Sequence, residues 1–111
     1  MDPVTFAARK ERYEKALAAT PDNHLARFGL ANVYLEQGDF AAAATQYRLC
    51  LSAQRDWMAV CISLGQCLIR LGETVEARTV LEEARRMAVA QGHTGPQTEI
   101  SELLARIPAG S

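Results

Sequence analysis

The sequence lacks the features that would indicate binding to nucleic acid, insertion in a membrane or secretion. Lys and Arg number 12 against 13 Asp and Glu, so no excess of positive charge is present to gather phosphates or anionic lipid. No apolar run approaches the roughly 20 residues that span a bilayer, and the N terminus lacks the basic start and apolar stretch of a signal peptide. We therefore expect a cytoplasmic protein that binds neither nucleic acid nor membranes.

Cysteine and histidine are also scarce, and neither is arranged for chemistry. The three cysteines are an odd number without metal-ligand spacing, which favours a reducing compartment, and we expect Cys50, Cys61 and Cys67 to be small core residues. The two histidines, His24 and His93, have no carboxylate, cysteine or serine partner at a motif spacing. No acid-base pair or phosphate-binding glycine loop is present. We expect no catalysis, no cofactor and no metal site.

Aromatic residues make up only 6% of the chain, whereas alanine is abundant. The 19 alanines account for much of the 49% hydrophobic fraction, and alanine favours helices and lets them approach closely. Apolar residues recur at spacings of three and four, as on helix faces, and no alternating strand pattern competes. A chain of 111 residues forms one small domain that needs no metal or disulfide. We expect a single all-α domain over residues 1–111.

One sequence unit occurs twice within residues 24–88, at a spacing of 34 residues. Small residues fall on small ones in the second copy, and large apolar residues fall on large apolar ones. A shift of 34 aligns Leu30 with Leu64, Ala31 with Gly65, Tyr34 with Leu68, Gly38 with Gly72, Ala43 with Ala77, and Tyr47 with Leu81. Such a period predicts stacked helical units, each of which presents the same shape to its neighbour.

These residues resemble the tetratricopeptide repeat (TPR) family, whose pattern is W-x2-L-G-x2-Y, then A-x3-F, then P. The first copy carries Leu30-Ala31-x2-Tyr34 and then Ala43-x3-Tyr47, and the second carries Leu64-Gly65-x2-Leu68 and then Ala77-x3-Leu81. Arg27 and Cys61 stand where the family usually has an aromatic residue, and Arg55 stands where it usually has proline. The resemblance implies an all-α right-handed solenoid of antiparallel helix pairs, with about five helices, that binds other proteins.

Turn and capping residues divide the chain into parts. Gly38 and Gly72 are expected to end helices, and Asp39 and Asp56 are expected to cap the helices that follow. Asp2 and Pro3 look like the start of the opening helix. A last helix with Ile100, Leu103, Leu104 and Ile107 on one face would cover the final repeat. We predict half a repeat (1–21), two repeats (22–55 and 56–91) and a C-terminal capping helix (96–107).

The resemblance further implies a concave groove, lined by the first helix of each repeat, that holds a peptide. An apolar strip beside amide groups suits a peptide with one or two hydrophobic anchors. An open alternative is that Phe28 and Ile62 only pack inside the domain, or that the terminal helix fills the groove. The expected groove residues are Leu25, Phe28, Asn32 and Leu35 from the first repeat and Ile62, Gln66, Ile69 and Arg70 from the second.

Two further points concern the partner. Chaperone-binding members of the family hold a terminal carboxylate with lysines or arginines and two asparagines, but here Phe28 replaces a lysine and Ser63 an asparagine, which argues against that clamp.

Self-association is the second function class. Arg9 stands where the repeats have Ala43 and Ala77, so the opening helix has no preceding partner. Its exposed face around Phe6 and Tyr13 would then form a homodimer or dock on another domain.

Overall fold

The computed structural model of the protein describes residues 3–109. Within those residues it contains six α-helices and no strand, which confirms the predicted all-α fold; the expected number of about five was one too low, since the predicted parts already require six helices. Asp2, the expected cap of the first helix, lies outside the described residues. The helices are α1 (Pro3–Ala19), α2 (His24–Gln37), α3 (Phe40–Ala53), α4 (Met58–Arg70), α5 (Thr74–Gln91) and α6 (Thr94–Ala105).

The helices form an ordered stack. Each packs against the next one along the chain, and α6 contacts α4 as well as α5. The stack measures 40 × 26 × 22 Å. None of the helices in residues 3–109 is both long enough and apolar enough to cross a membrane. The contact between α4 and α6 matters for the candidate site, because it places the last helix beside the first helix of the second repeat.

Glycine ends the first helix of each repeat in the same way. Gly38 has a φ of 80° and Gly72 a φ of 75°, a left-handed conformation that disfavours residues with a Cβ. After α2, the Gly38 amide donates to the Leu35 carbonyl at 3.0 Å, and the next amide donates to the Tyr34 carbonyl at 2.9 Å. The same two bonds recur at Gly72. These bonds satisfy carbonyls that the helix leaves free, and they confirm both predicted helix ends.

Side-chain caps start α2 and α3 but not α4. Asn23 Oδ1 accepts from the Ala26 amide at 3.0 Å, and Asp39 Oδ1 accepts from the Ala42 amide at 3.1 Å. The expected cap at Asp56 is wrong, because Trp57 is the residue that precedes α4 and it makes no side-chain cap. The Trp57 ring packs instead on Phe28, with the ring centroids 5.1 Å apart.

The last helix begins at Thr94, two residues before the expected start, and ends at Ala105 rather than 107. Its first turn contains Gly95 and Pro96, of which only Pro96 lies within the predicted range. Proline is tolerated there because the first amides of a helix have no carbonyl partner within it. Ile107, just after the helix, is only 6% exposed and belongs to the core.

Small side chains let the paired helices approach closely. Ala43 of α3 and Ala77 of α5 are fully buried, as expected for repeat positions at helix crossings. Gly65 lies so close to α5 that a Cβ added to it would be 2.5 Å from Leu81 Cδ2. Tyr47 and Leu81, which are equivalent in the two repeats, are fully buried as well. The repeat pattern therefore describes how the core is packed.

Arg48 joins the two repeats on the surface. Its Nη2 atom lies 2.7 Å from Glu76 Oε1 and 3.0 Å from Glu73 Oε2, so one guanidinium on α3 binds two carboxylates at the start of α5. The hydrogen bond from Arg48 lowers the pKa of Glu76. Because these side chains are 39 to 51% exposed, solvent weakens the attraction, and we expect the contact to orient α5 more than to stabilise it.

Candidate functional site

A cavity of about 170 Å³ is lined by side chains of α2, α3, α4 and α6, and we call it the groove cavity. Four of the eight expected groove residues come together in it, which are Leu35, Gln66, Ile69 and Arg70. The other lining residues come from the start of α3 and from the C-terminal part of the chain. The full lining is Leu35, Phe40, Gln66, Ile69, Arg70, Leu103 and Arg106.

The groove cavity combines apolar walls with positive charge. Leu35, Ile69 and Leu103 supply apolar surface from three different helices. The Arg70 guanidinium lies 4.6 Å from the centroid of the Phe40 ring, a cation-π contact that holds the arginine at the cavity. No carboxylate is among the described residues that line the cavity. The arrangement therefore suits a ligand in which an apolar group lies next to hydrogen-bond acceptors or negative charges.

The terminal helix closes part of the expected groove. Gln66 Nε2 donates to Glu99 Oε1 of α6 at 3.4 Å, so one of the two expected amides already has a partner in the chain. Leu103 is 4% exposed and forms one wall of the cavity. The last helix therefore occupies the side of the groove next to α4, as one of the alternatives proposed. The part of the groove that stays open is the groove cavity.

Phe28 and Ile62, the expected apolar strip, pack inside the domain. Ile62 is 8% exposed and belongs to the core. Phe28 is half-buried, with its ring centroid 6.1 Å from that of Tyr47 and 5.1 Å from that of Trp57. Leu25 is 74% exposed at the start of α2 and does not line the groove cavity. The alternative in which Phe28 and Ile62 are packing residues is therefore the better description of them.

Asn32 is held by a buried tyrosine. The Tyr47 hydroxyl donates a hydrogen bond to Asn32 Oδ1. Tyr47 is fully buried, and this burial raises the pKa of its hydroxyl group well above the usual value. Because its carbonyl oxygen is engaged, Asn32 presents its two amide N–H groups as donors on a half-buried part of α2. Asn32 does not line the groove cavity itself.

The face of α1 that carries Tyr13 is partly packed against α2. A Cβ added to Gly29 of α2 would lie 2.4 Å from atoms of the Tyr13 ring, so the ring lies directly against α2. Arg9 Nη2 contacts Glu36 Oε2 of α2 at 2.7 Å. Phe6 and Tyr13 are both partly exposed, so the Tyr13 contact reduces the open surface on this face without removing it. The homodimer through α1 stays a prediction.

The three cysteines are core residues, as expected. Cys50, Cys61 and Cys67 have free thiols and are at most 2% exposed. Burial raises the pKa of Cys61 and of Cys67 to about 11, and it also raises the pKa of Cys50. A thiol with a raised pKa is a poor nucleophile near neutral pH, because the thiolate is the reactive form. The cysteines therefore supply packing volume.

A second cavity, of about 460 Å³, is a difference between the two repeats that the sequence analysis did not predict. Cys61 lines it, together with Arg55 and Val80 among others. In the first repeat the position equivalent to Cys61 is Arg27, whose guanidinium donates to Gln46 Oε1 at 3.0 Å and to a backbone carbonyl at 3.2 Å. The longer arginine occupies this region in the first repeat, whereas the short cysteine leaves it open in the second.

The sequence did not single out Phe40, Leu103 and Arg106 as site residues. Phe40 opens the second helix of the first repeat, and Leu103 was assigned to a cap that only covers the core. The sequence does show an apolar face on the last helix, but that face predicts only that the helix covers the final repeat. Arg106, which follows α6, could not be placed at the cavity without the fold.

Comparison with known proteins agrees with this architecture. Residues 11–84 match the model of the family described as Anaphase-promoting complex, cyclosome, subunit 3, a TPR-type family. The chain is also 31% identical over 97 residues to the TPR repeat-containing protein PA0015 of Pseudomonas aeruginosa, in an alignment that covers 87% of this chain and 92% of the relative. Taken with the glycine-ended, repeating helices of the structure, these matches show that the chain belongs to the tetratricopeptide repeat family.

Proposed function

We propose that this chain is a protein-interaction module that holds a peptide segment of a partner protein in the groove cavity. The observation that carries the proposal is the groove cavity itself, where four helices place apolar and hydrogen-bonding side chains around one opening. Membership of the TPR family supports a role in protein interaction. The cytoplasmic location inferred from the sequence stays a prediction.

The size of the groove cavity limits what it holds. A cavity of about 150 Å³ in another protein accommodates a benzene ring, so a volume of about 170 Å³ has room for one leucine-sized or phenylalanine-sized side chain. That side chain would contact Leu35, Ile69 and Leu103, while the arginines at the cavity bind acceptors next to it. A single anchor with polar neighbours is the pattern of a peptide hot spot.

Ile69→Asp is expected to weaken peptide binding at least about tenfold, because it places a charge where the apolar anchor must pack. The ligand is first selected by panning a random peptide library displayed on phage, and the best clone is then synthesised with blocked termini. Fluorescence anisotropy measures its affinity for the wild type and the variant. Circular dichroism confirms that Ile69→Asp, a half-buried position, still folds.

Val75→Asp is the matched control, because Val75 is 72% exposed on α5 and does not line the groove cavity. It introduces the same charge and is expected to leave the affinity almost unchanged. Loss of binding in Val75→Asp with normal binding in Ile69→Asp would place the interaction surface outside the groove cavity and overturn the proposal.

A further inference from the structure

We propose that the peptide in the groove cavity is acidic, with one apolar anchor residue flanked by aspartate or glutamate side chains. This inference rests on the proposed function and names the chemistry of its ligand. It is carried by the two charged side chains that line the groove cavity, Arg70 and Arg106, since no carboxylate is among the described lining residues.

The two arginines of the cavity are uncompensated. Neither Arg70 nor Arg106 forms an ion pair with another residue in the range 3–109, and both line the groove cavity. An arginine presents five N–H donors in a planar group that matches a carboxylate with two parallel hydrogen bonds. Two such groups beside one apolar opening therefore favour a ligand with carboxylates on both sides of its anchor.

Two acids near the groove cavity have partners other than its arginines. Glu36, which follows Leu35 on α2, lies 2.7 Å from Arg9. Glu99 of α6 accepts a hydrogen bond from Gln66. These carboxylates contact neither of the cavity arginines, so they leave the donors of Arg70 and Arg106 to a ligand.

Arg70 is held in place before any ligand arrives. Its guanidinium packs on the Phe40 ring, which limits the motion of a long side chain while leaving the N–H groups at the edge of its plane free to donate. A side chain that is ordered in advance loses less freedom on binding. The net charge of the whole chain is −1, so attraction of an acidic peptide has to come from this local pair and not from the overall charge.

The test is a selection in which only side-chain carboxylates are available. Random peptides are displayed on phage with their C termini joined to the coat protein, and the wild type and the Arg70→Gln/Arg106→Gln variant are panned in parallel. Sequencing of the enriched clones gives the frequency of Asp and Glu next to apolar residues. We expect a clear excess of acidic residues over the unselected library for the wild type, and loss of that excess for the double variant.

Affinity measurements complete the test. The most enriched wild-type clone, synthesised with an acetylated N terminus and an amidated C terminus, is expected to bind the double variant at least about tenfold more weakly than the wild type. Arg55→Gln/Arg78→Gln removes the same total charge at positions outside the groove cavity, and we expect it to change the affinity by no more than about twofold. Added salt should weaken binding to the wild type.

The outcomes separate this inference from the proposed function. Neutral or basic clones whose capture is lost in Ile69→Asp would overturn the acidic ligand while leaving the groove cavity as the binding site. The same conclusion follows if acidic clones bind the Arg70→Gln/Arg106→Gln variant as well as they bind the wild type. Absence of any clone that depends on Ile69 would overturn the proposed function, and the acidic ligand with it.

Discussion

Gly65→Ala is expected to destabilise the folded protein by about 1 to 3 kcal/mol, even though alanine favours a helix by about 1 kcal/mol over glycine. The added Cβ would lie 2.5 Å from Leu81 Cδ2 and 2.6 Å from Leu81 Cγ, which is closer than van der Waals contact allows. Leu81 is fully buried, so any shift of its side chain displaces other core residues. Unfolding in urea, monitored by circular dichroism, measures the loss.

Two further variants show whether this contact is the cause. Leu81→Ala should cost about 2 to 5 kcal/mol by itself, but Gly65→Ala should add little to it, because the space for the new methyl group is then available. Gly29→Ala should be almost neutral, since the Tyr13 ring opposite Gly29 is only partly buried and can turn toward solvent. Additive losses in the Gly65→Ala/Leu81→Ala variant would contradict the close crossing of α4 and α5.

Ala77→Leu is also expected to destabilise the protein by about 1 to 3 kcal/mol, because it forces a larger side chain into a crossing where alanine is fully buried. Thermal and urea unfolding measure the effect. The comparison position is Arg9, which falls on Ala43 and Ala77 when the chain is shifted by 34 and 68 residues.

Arg9→Leu should cost much less than Ala77→Leu. The Arg9 side chain extends over α2 to Glu36, so a leucine at this position has no buried crossing to disrupt. Equal losses at the two positions would mean that α1 is enclosed like the second helix of a full repeat. That result would contradict the division of residues 1–21 as half a repeat, which stays a prediction until this measurement is made.

Local signals explain why the helices were predictable. Glycine with positive φ ends α2 and α4, and Asp39 caps α3, as the sequence predicts. Each of these signals acts within a few residues of the chain. The cap of α4 was wrongly placed at Asp56. Trp57 precedes the helix and packs on Phe28 of α2, a contact between distant residues that the local sequence pattern cannot predict.

The site was only partly predictable, because it depends on a helix from outside the two repeats. The resemblance to the repeat family placed eight residues in the groove, and four of them, Leu35, Gln66, Ile69 and Arg70, line the groove cavity. It could not show that α6 would pack beside α4 and add Leu103 and Arg106 to the same opening. Nor could it distinguish half-buried Phe28 from an open anchor, since burial is set by neighbours distant in sequence.

The central claim, that the groove cavity is the binding site, is tested most directly by NMR with methyl-labelled protein and a peptide selected by panning. We predict that the methyl signals of Leu35, Ile69 and Leu103 shift most during the titration, while those of the exposed residues Leu25 and Val75 stay in place. Largest shifts at Leu17 of α1 or at Val75 of α5, with Leu35 and Ile69 unmoved, would contradict the account.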